Sequence, residues 1–343
     1  MEATETQRNT PFEESVSMNT TANGSSSWSC SRLINPVADK IGQTIAYNLI
    51  LLSSLVGNSL IVLIVYKTPA LRKPINMLIA NMAMSDLLFP IFLFPVRLSE
   101  LHVGSWLIGG NLGQALCKIH VFLSDVSTLV SIQRIVLISV ERFGAVVVPL
   151  RPPFINRKLC PYLIVGSWIL AVAFFSPYLF AFKLVEYPEG MWCELQWEEA
   201  FGETNSLFIH DLVEAIVFFC IPVVLLVILY TIILIKLKQK VHPGEQSANI
   251  EEQQTRRNKK VLKMAIAINL AFFICWAPLL FDRIIYYFAP DLLSSCIVLV
   301  YYFVVPFITY ANCVINPIIC LMFSNNYRHA LKRLVRCCDA VQE

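Results

Sequence analysis

The sequence predicts an all-α membrane protein: a seven-transmembrane helix bundle with a short amphipathic eighth helix. Three observations carry this. Of 343 residues, 56% are hydrophobic and only 15% are charged, against about 45–50% and about 25% in an average soluble domain. The apolar residues gather in seven long blocks, each near the ~20 residues that a helix needs to cross ~30 Å of hydrocarbon. The segments between blocks alternate between rich and poor in Lys and Arg, the pattern of a multi-pass protein. The same composition excludes a soluble enzyme, a disordered chain, a collagen and a coiled coil. A formal net charge of +3 is too small to suggest nucleic acid.

The blocks follow in order. Ile41–Tyr66 holds 26 residues without a charge, and Ile75–Val96 holds 22 with one, Asp86. Ile119–Val140 has 22 residues with Asp125 and Arg134, and Cys160–Phe182 has 23 with no charge. Ala215–Ile235 and Met264–Phe281 run 21 and 18 residues uncharged. Leu292–Tyr327, at 36 residues, is long enough for a span and a continuation. A soluble core of seven buried helices would need amphipathic helices to cover it, and none remain in the sequence. A membrane barrel would show alternating strands of about ten residues. Helices are therefore the spanning form, since every backbone group must be paired inside the segment. Pro90, Pro95, Pro177, Pro222, Pro278, Pro306 and Pro317 lie within the blocks. Each would cost about 3 kcal/mol in a helix in water, but a packed bundle tolerates them as kinks.

Orientation follows from the basic residues. The connections after blocks one, three and five, with the tail, carry 19 of the 27 Lys and Arg residues. This puts the N-terminus outside and the C-terminus inside. No apolar stretch precedes Ile41, so the first span is expected to act as its own insertion signal. Residues 1–40 are rich in Ser, Thr, Asn and Glu and read as a disordered extracellular segment. Residues 41–322 form the seven-transmembrane domain, and 323–343 the amphipathic helix and cytoplasmic tail. Asn19 and Asn23 open glycosylation sequons on the outer side. Of eleven cysteines, Cys30, Cys117, Cys193 and Cys296 face the oxidising side and allow three pairings. A Cys117–Cys193 bridge would pin the loop between blocks four and five over the bundle mouth.

Residues inside the spans narrow the class further. The first has Gly57-Asn58-Ser59 and the second Asn81 to Leu88 with Asp86 and Leu87. The third starts near Cys117 and ends in Glu141-Arg142-Phe143, with Pro149-Leu150 beyond. Trp168 lies in the fourth, Pro222 and Tyr230 in the fifth, Phe272 and Cys275-Trp276-Ala277-Pro278 in the sixth. The seventh has Asn316-Pro317-Ile318-Ile319-Cys320, then Phe323. Together, in this order, over residues 40–338, they resemble the rhodopsin-like, class A, G-protein-coupled receptors. The resemblance implies a plasma-membrane receptor, not an enzyme. Its implied partners are an extracellular ligand, a heterotrimeric G protein, arrestin and the lipid bilayer.

The resemblance assigns roles residue by residue. An aspartate in mid-membrane costs about 2.5–3.5 kcal/mol on insertion scales, so Asp86 requires partners, an ion or a proton. Ser131, Asn312 and Asn316, with Asn58 as a further candidate, resemble the family's sodium pocket, and oxygen donors suit a hard cation. The alternative is a dry polar network. No cofactor is expected beyond that allosteric ion. Glu141 and Arg142 resemble a switch pair, and Ile132, Pro222, Phe272 and Trp276 above Pro278 a rotameric connector. Tyr230, Asn316 and Pro317 complete the switch set. Many relatives clamp the arginine with an acid at the base of helix six; here Asn258 stands there, so rest depends on Glu141 and packing. Cys320 replaces the family's usual tyrosine. Arg134 replaces a small polar residue and is expected to bond Asn81 or stack on Trp168. The disulfide implied by the family is Cys117–Cys193, with Cys30–Cys296 a second as in some peptide receptors. Cys337 and Cys338, ending a basic helix over Ser324–Cys338, are palmitoylation candidates.

Retinal is excluded, since Tyr310 stands where the Schiff-base lysine would be. An aminergic ligand is disfavoured by Ser124 in place of aspartate, with Asp125 about 100° around the helix. A small amine or lipid ligand is the alternative within receptors; a transporter or a non-signalling scavenger lies outside them. No internal repeat supports the transporter, and the retained Arg142 argues against the scavenger. Pro95, Trp106-Leu107-Ile108-Gly109 and the loop around Cys193 resemble the peptide-receptor branch. Six glutamates in residues 183–203 join Asp211, Glu214, Glu100 and Asp125 against Lys183, Arg97 and Arg283. This acidic mouth predicts a cationic neuropeptide, met by Ser124, Asp125, Asp211, Glu214, Arg283 and Tyr310. A zinc or catalytic site is not supported, because His102, His120, His210, His242 and His329 show no ligand spacing.

Overall fold

Seven helices in the computed structural model are long and apolar enough to cross a membrane, among the described residues. Those residues are 36–149, 151–202, 206–239, 248–288 and 296–339. Their burial is inverted relative to a soluble protein. Leu49, Leu52 and Val56 on helix one, Tyr162, Val165 and Ile169 on helix four, and Leu270 and Ile274 on helix six all face outward. Asp86, Asn58, Ser131, Arg134, Asn312 and Asn316 are buried. That is the distribution a hydrocarbon solvent selects, with polar groups turned to the bundle interior.

Helix one, Pro36–Lys67, starts inside the segment expected to be unstructured. Asp39 lies in the first described turn of this helix. After a short 3-10 turn, Pro69–Leu71, helix two runs Pro74–Val103 and stops at Gly104. Gly104 adopts a left-handed φ of 80° and donates its N–H to the Glu100 carbonyl, a turn that glycine closes without strain. Helix three, Gly110–Val147, is the central pillar: it packs against helices two, four, five and six. Asn156 accepts from the N–H groups of Lys158 and Leu159 and so caps helix four, Leu159–Phe175, which continues as Tyr178–Ala181.

Helix five holds Ser206–Glu214, a π-helical Ala215–Cys220 and Ile221–Gln239. Pro222 lacks an N–H and its ring clashes with the carbonyl four residues back. The ladder widens into the π segment just before it, which resets the phase of the outer half relative to the inner half. Helix six is Ala248–Phe288 and helix seven is Cys296–Phe323, which carries Pro306 and Pro317 inside it. Gly57 lets helices one and seven touch: a Cβ there would lie 3.0 Å from the Pro317 Cβ. Close approach through small residues is how helices associate in lipid, where burial of apolar surface no longer drives them together.

Helix eight, Asn325–Asp339, follows helix seven and packs against helices one and seven. Its Tyr327 is fully buried and donates to Asn76 Oδ1 at 3.3 Å. Burial pushes this phenol well above its usual range, which keeps it a donor. The helix reaches Cys337 and Cys338, whose side chains lie outside the described residues.

The outer loop before helix five is a hairpin, which the sequence reading treats only as a long loop. β1, Phe182–Tyr187, pairs antiparallel with β2, Gly190–Leu195. The chain turns through Pro188-Glu189, with Gly190 at φ 146° beside Ser105, where a Cβ would sit 2.7 Å from the Ser105 Cβ. Trp106 donates to the Met191 carbonyl at 2.7 Å, so the first outer loop adds a bridge to the hairpin. Cys193 on β2 is disulfide-bonded to Cys117 near the start of helix three. Cys30 and the Cys296 side chain, like Asn19 and Asn23, lie outside the described residues.

Candidate functional site

The site has three levels, and the outermost is acidic. Glu186, Glu189, Glu198 and Glu199 are exposed on the hairpin and the short helix behind it. Lys183 pairs with Glu199 at 2.5 Å and Arg97 with Glu100 at 2.9 Å. The two nearby bases are thus already committed to acids. Glu194 accepts from the Tyr187 hydroxyl and from Gln196. Glu203 and the Arg283 side chain lie outside the described residues. Deeper down, Asp125, Asp211 and Glu214 are half-buried on helices three and five. The Tyr287 hydroxyl donates to Asp211 Oδ2 at 2.8 Å and links helix six to helix five.

The floor of the mouth is aromatic. Tyr310 is buried among Tyr47, Phe89 and Phe94, with ring centroids 5.5–6.0 Å apart. Ser124 is buried and spends its hydroxyl on the His120 carbonyl at 2.7 Å, leaving its oxygen only as an acceptor.

The middle level is built around Asp86. Asn316 donates its amide to Oδ2 at 2.9 Å, and Ser131 donates to Oδ1 at 3.3 Å. Asn316 therefore presents nitrogen to the carboxylate. Ser54 bonds the Asp86 carbonyl, Ser127 bonds the Ser85 carbonyl and the Ser85 hydroxyl meets that of Ser131. Asp86, Ser131, Asn312, Phe89 and Trp276 share a small cavity with room for about one water-sized occupant. Asn312 Oδ1 is buried there with no hydrogen-bond partner. Asn58 is not part of this cavity: it donates to the Cys313 carbonyl at 2.8 Å and to Ser54, stapling helix one to helix seven. Trp276 stacks on Phe272 with centroids 5.7 Å apart. Ile132 and Phe272 pack in one core cluster beneath it.

The inner level is closed. Arg142 donates Nε to Glu141 Oε2 at 2.5 Å and Nη2 to Oε1 at 2.6 Å, a bidentate pair with both side chains about nine-tenths buried. Above it, the Tyr230 hydroxyl bonds Ser139 at 2.9 Å and accepts from Asn269 at 2.9 Å. One tyrosine on helix five thus ties helix three to helix six. Val146, Ile233, Leu237 and Leu262 make an apolar clasp among the same three helices. Cys320 is buried in the adjoining core. The Asn258 side chain lies outside the described residues.

Arg134 does not reach Asn81 or Trp168. Trp168 itself donates to Asn81 Oδ1 at 3.0 Å and so occupies that position. Arg134 turns instead to helix four, where it bonds Ser167 Oγ and the Ile164 carbonyl. Its Nε and Nη1 have no hydrogen-bond partner. His210 has no histidine at ligand spacing, yet the fold gathers it with Asp211 and Glu214.

Ser139, Asn269, Ser54, Ser85 and Ser127 were not singled out from the sequence. The available signal was polarity within an apolar span, which marks an inward face.

Comparison with known proteins agrees with this arrangement. Residues 57–319 match the model of the 7 transmembrane receptor (rhodopsin family). The chain belongs to that family, whose members are signalling receptors and not enzymes. It is 25% identical over 298 residues to the QRFP-like peptide receptor of Branchiostoma floridae, covering 85% of this chain and 76% of that one. It is 25% identical over 331 residues to the substance-P receptor of Mus musculus, covering 96% and 79%. It is 28% identical over 293 residues to neuropeptide receptor 22 of Caenorhabditis elegans, covering 82% and 66%.

Proposed function

We propose that this receptor lies in the plasma membrane with its N-terminus outside, and couples a cationic extracellular peptide to a heterotrimeric G protein, with arrestin as a second inner partner. The observation that carries the reading is the vertical arrangement of an acidic mouth, a polar centre at Asp86 and a closed Glu141–Arg142 pair. The names of the relatives support a peptide. The acids of the mouth select its charge, because a low-dielectric funnel of one sign attracts the opposite sign. Signalling is a population shift: the peptide and the G protein both favour the arrangement in which the inner clasp opens.

The exposed and deep acids have different duties. Rim charges act on association, whereas truncating one partner of a buried charge pair costs about 2–5 kcal/mol and acts on dissociation. A panel of amidated peptides bearing Arg or Lys, with acidic and lipid controls, identifies the agonist class on cells carrying a promiscuous G-protein reporter. For the cationic agonist found, Glu214→Gln is expected to weaken binding by about 30-fold or more, chiefly through faster dissociation. Glu198→Gln changes only the association rate and its salt dependence. An anionic or lipidic agonist, or equal effects of the two variants, refutes the cationic-peptide reading.

A sodium ion fits the middle cavity. Asp86, Ser131 and Asn312 would hold it with oxygens, and the partnerless Asn312 Oδ1 is the donor such an ion would satisfy. Bound there, sodium would neutralise the buried carboxylate and favour the closed state. Agonist affinity measured in sodium and in choline medium is expected to differ several-fold, and Asp86→Asn to erase the difference. Unchanged sodium dependence in that variant leaves only the dry network.

A further inference from the structure

The outer half of helix five carries a second chemistry. His210, Asp211 and Glu214 each bring one potential ligand atom within 4.8 Å of the other two, and all three residues are half-buried. His210 and Glu214, four residues apart, lie one above the other on the same helical face. Asp211 joins them because its Oδ1 lies 3.8 Å from His210 Nδ1. That distance is too long for a hydrogen bond. It is close to the separation of about 3.4 Å between two ligand atoms on a tetrahedral ion with bonds of about 2.1 Å.

Two further observations concern the surroundings. The His210 ring is held by Phe174, Trp197 and Tyr178, with centroids 4.7, 5.0 and 5.3 Å away. Both of its ring nitrogens are buried and neither has a hydrogen-bond partner. Native proteins rarely leave a buried donor or acceptor unsatisfied, because the desolvation cost is not recovered. Coordination to a metal would satisfy the nitrogen nearest the acids. Asp211 is oriented from outside the cluster, since the Tyr287 hydroxyl donates to its Oδ2, while its Oδ1 lies on the His210 side. A partner that fixes the far oxygen of a carboxylate is the usual support of a metal ligand.

We propose that His210, Asp211 and Glu214 form a zinc site at the receptor mouth. Imidazole with two carboxylates suits zinc, whereas calcium and magnesium sites are built from oxygen alone. Three protein ligands leave a fourth position for water or for a donor on a bound molecule. On the reading of the mouth as a receiver of cations, zinc and the peptide compete for Asp211 and Glu214; the metal site itself stands without that reading.

The test uses the full-length receptor in lipid nanodiscs and zinc chloride alone, with thermal unfolding as the readout. Zinc is expected to raise the unfolding temperature by several degrees, because a ligand bound only to the folded state stabilises it by mass action. EDTA reverses the shift, and calcium and magnesium produce none. Outer-shell partners of a metal are alone worth about 10- to 100-fold in affinity, so loss of a ligand should cost at least about 100-fold. Glu214→Gln and His210→Phe, the latter keeping a ring in the aromatic cage, are each expected to lose the shift at zinc concentrations that saturate the wild type. If His210→Phe does not fold, Glu214→Gln and Asp211→Asn decide. No shift in the wild type at millimolar zinc, a shift of equal size in any folded variant, or an equal shift with calcium would overturn the proposal.

Discussion

Arg142→Ala is expected to lower agonist-stimulated nucleotide exchange by about 100-fold, the upper end of ordinary coupling free energies, while agonist binding stays nearly unchanged. Arg142 lies at the inner end of helix three, buried and bidentate to its neighbour Glu141. In this closed arrangement it contributes nothing to the mouth, so its removal cannot act on the peptide directly. Were helices three, five and six to part, the guanidinium would be the group able to leave Glu141 for a new acceptor, with five donors in a fixed fork. Alanine removes that fork and leaves Glu141 buried without its partner, which can cost about 3–5 kcal/mol of stability. Signalling must therefore be compared at equal surface amount. Glu141→Gln provides the converse, since weakening the resting partner without shrinking it should raise basal activity. If Arg142→Ala signals normally, or loses binding in proportion to signalling, the switch assignment fails.

The seven spans were legible in the sequence because length and the absence of charge decide them, and the solvent permits few alternatives. Their outer ends were not. The fifth block reads as Ala215–Ile235, but the described helix reaches back to Ser206. The segment Ser206–Glu214 holds His210, Asp211 and Glu214, which end the apolar run without ending the helix. The third helix likewise extends back to Gly110. The Asp86 network was legible at its centre, since a carboxylate within a span demands partners, and Ser131 and Asn316 are found bonded to it. Its periphery was not: Asn58 went to Cys313, a choice set by the Gly57–Pro317 approach of helices one and seven. Arg134 was unusual on sight, but Trp168 takes Asn81 first and so sends the guanidinium to Ser167. The surroundings of His210 come from helix four and the loop beyond the hairpin. No spacing rule along one helix could have assembled them.

The departure at Cys320 yields the second large effect. Cys320→Tyr is expected to raise basal signalling about fivefold or more at equal surface expression, and two contributions act in the same direction. In the closed arrangement Cys320 is buried in the core shared by helices one, two, three and seven, with Tyr327 of helix eight beside it. Inserting a phenol ring there overpacks the closed state, typically at about 1–3 kcal/mol, which is about 5- to 150-fold in a two-state ratio. In an open arrangement the longer side chain can turn into the bundle toward the phenol of Tyr230. That phenol is now occupied by Ser139 and Asn269 and would be released by a movement of helix six. A hydrogen bond gained only in the open state is worth about 1 kcal/mol, again about fivefold. The two contributions separate in a double-mutant comparison. Tyr230→Phe added to Cys320→Tyr should remove the part due to the new bond and keep the part due to overpacking. Cys320→Ala, which removes volume instead, should leave basal activity unchanged or lower. Basal signalling that stays flat or falls in Cys320→Tyr would mean that the cavity around residue 320 yields in the closed state as readily as in the open one, and that cysteine at this position does not restrain the receptor.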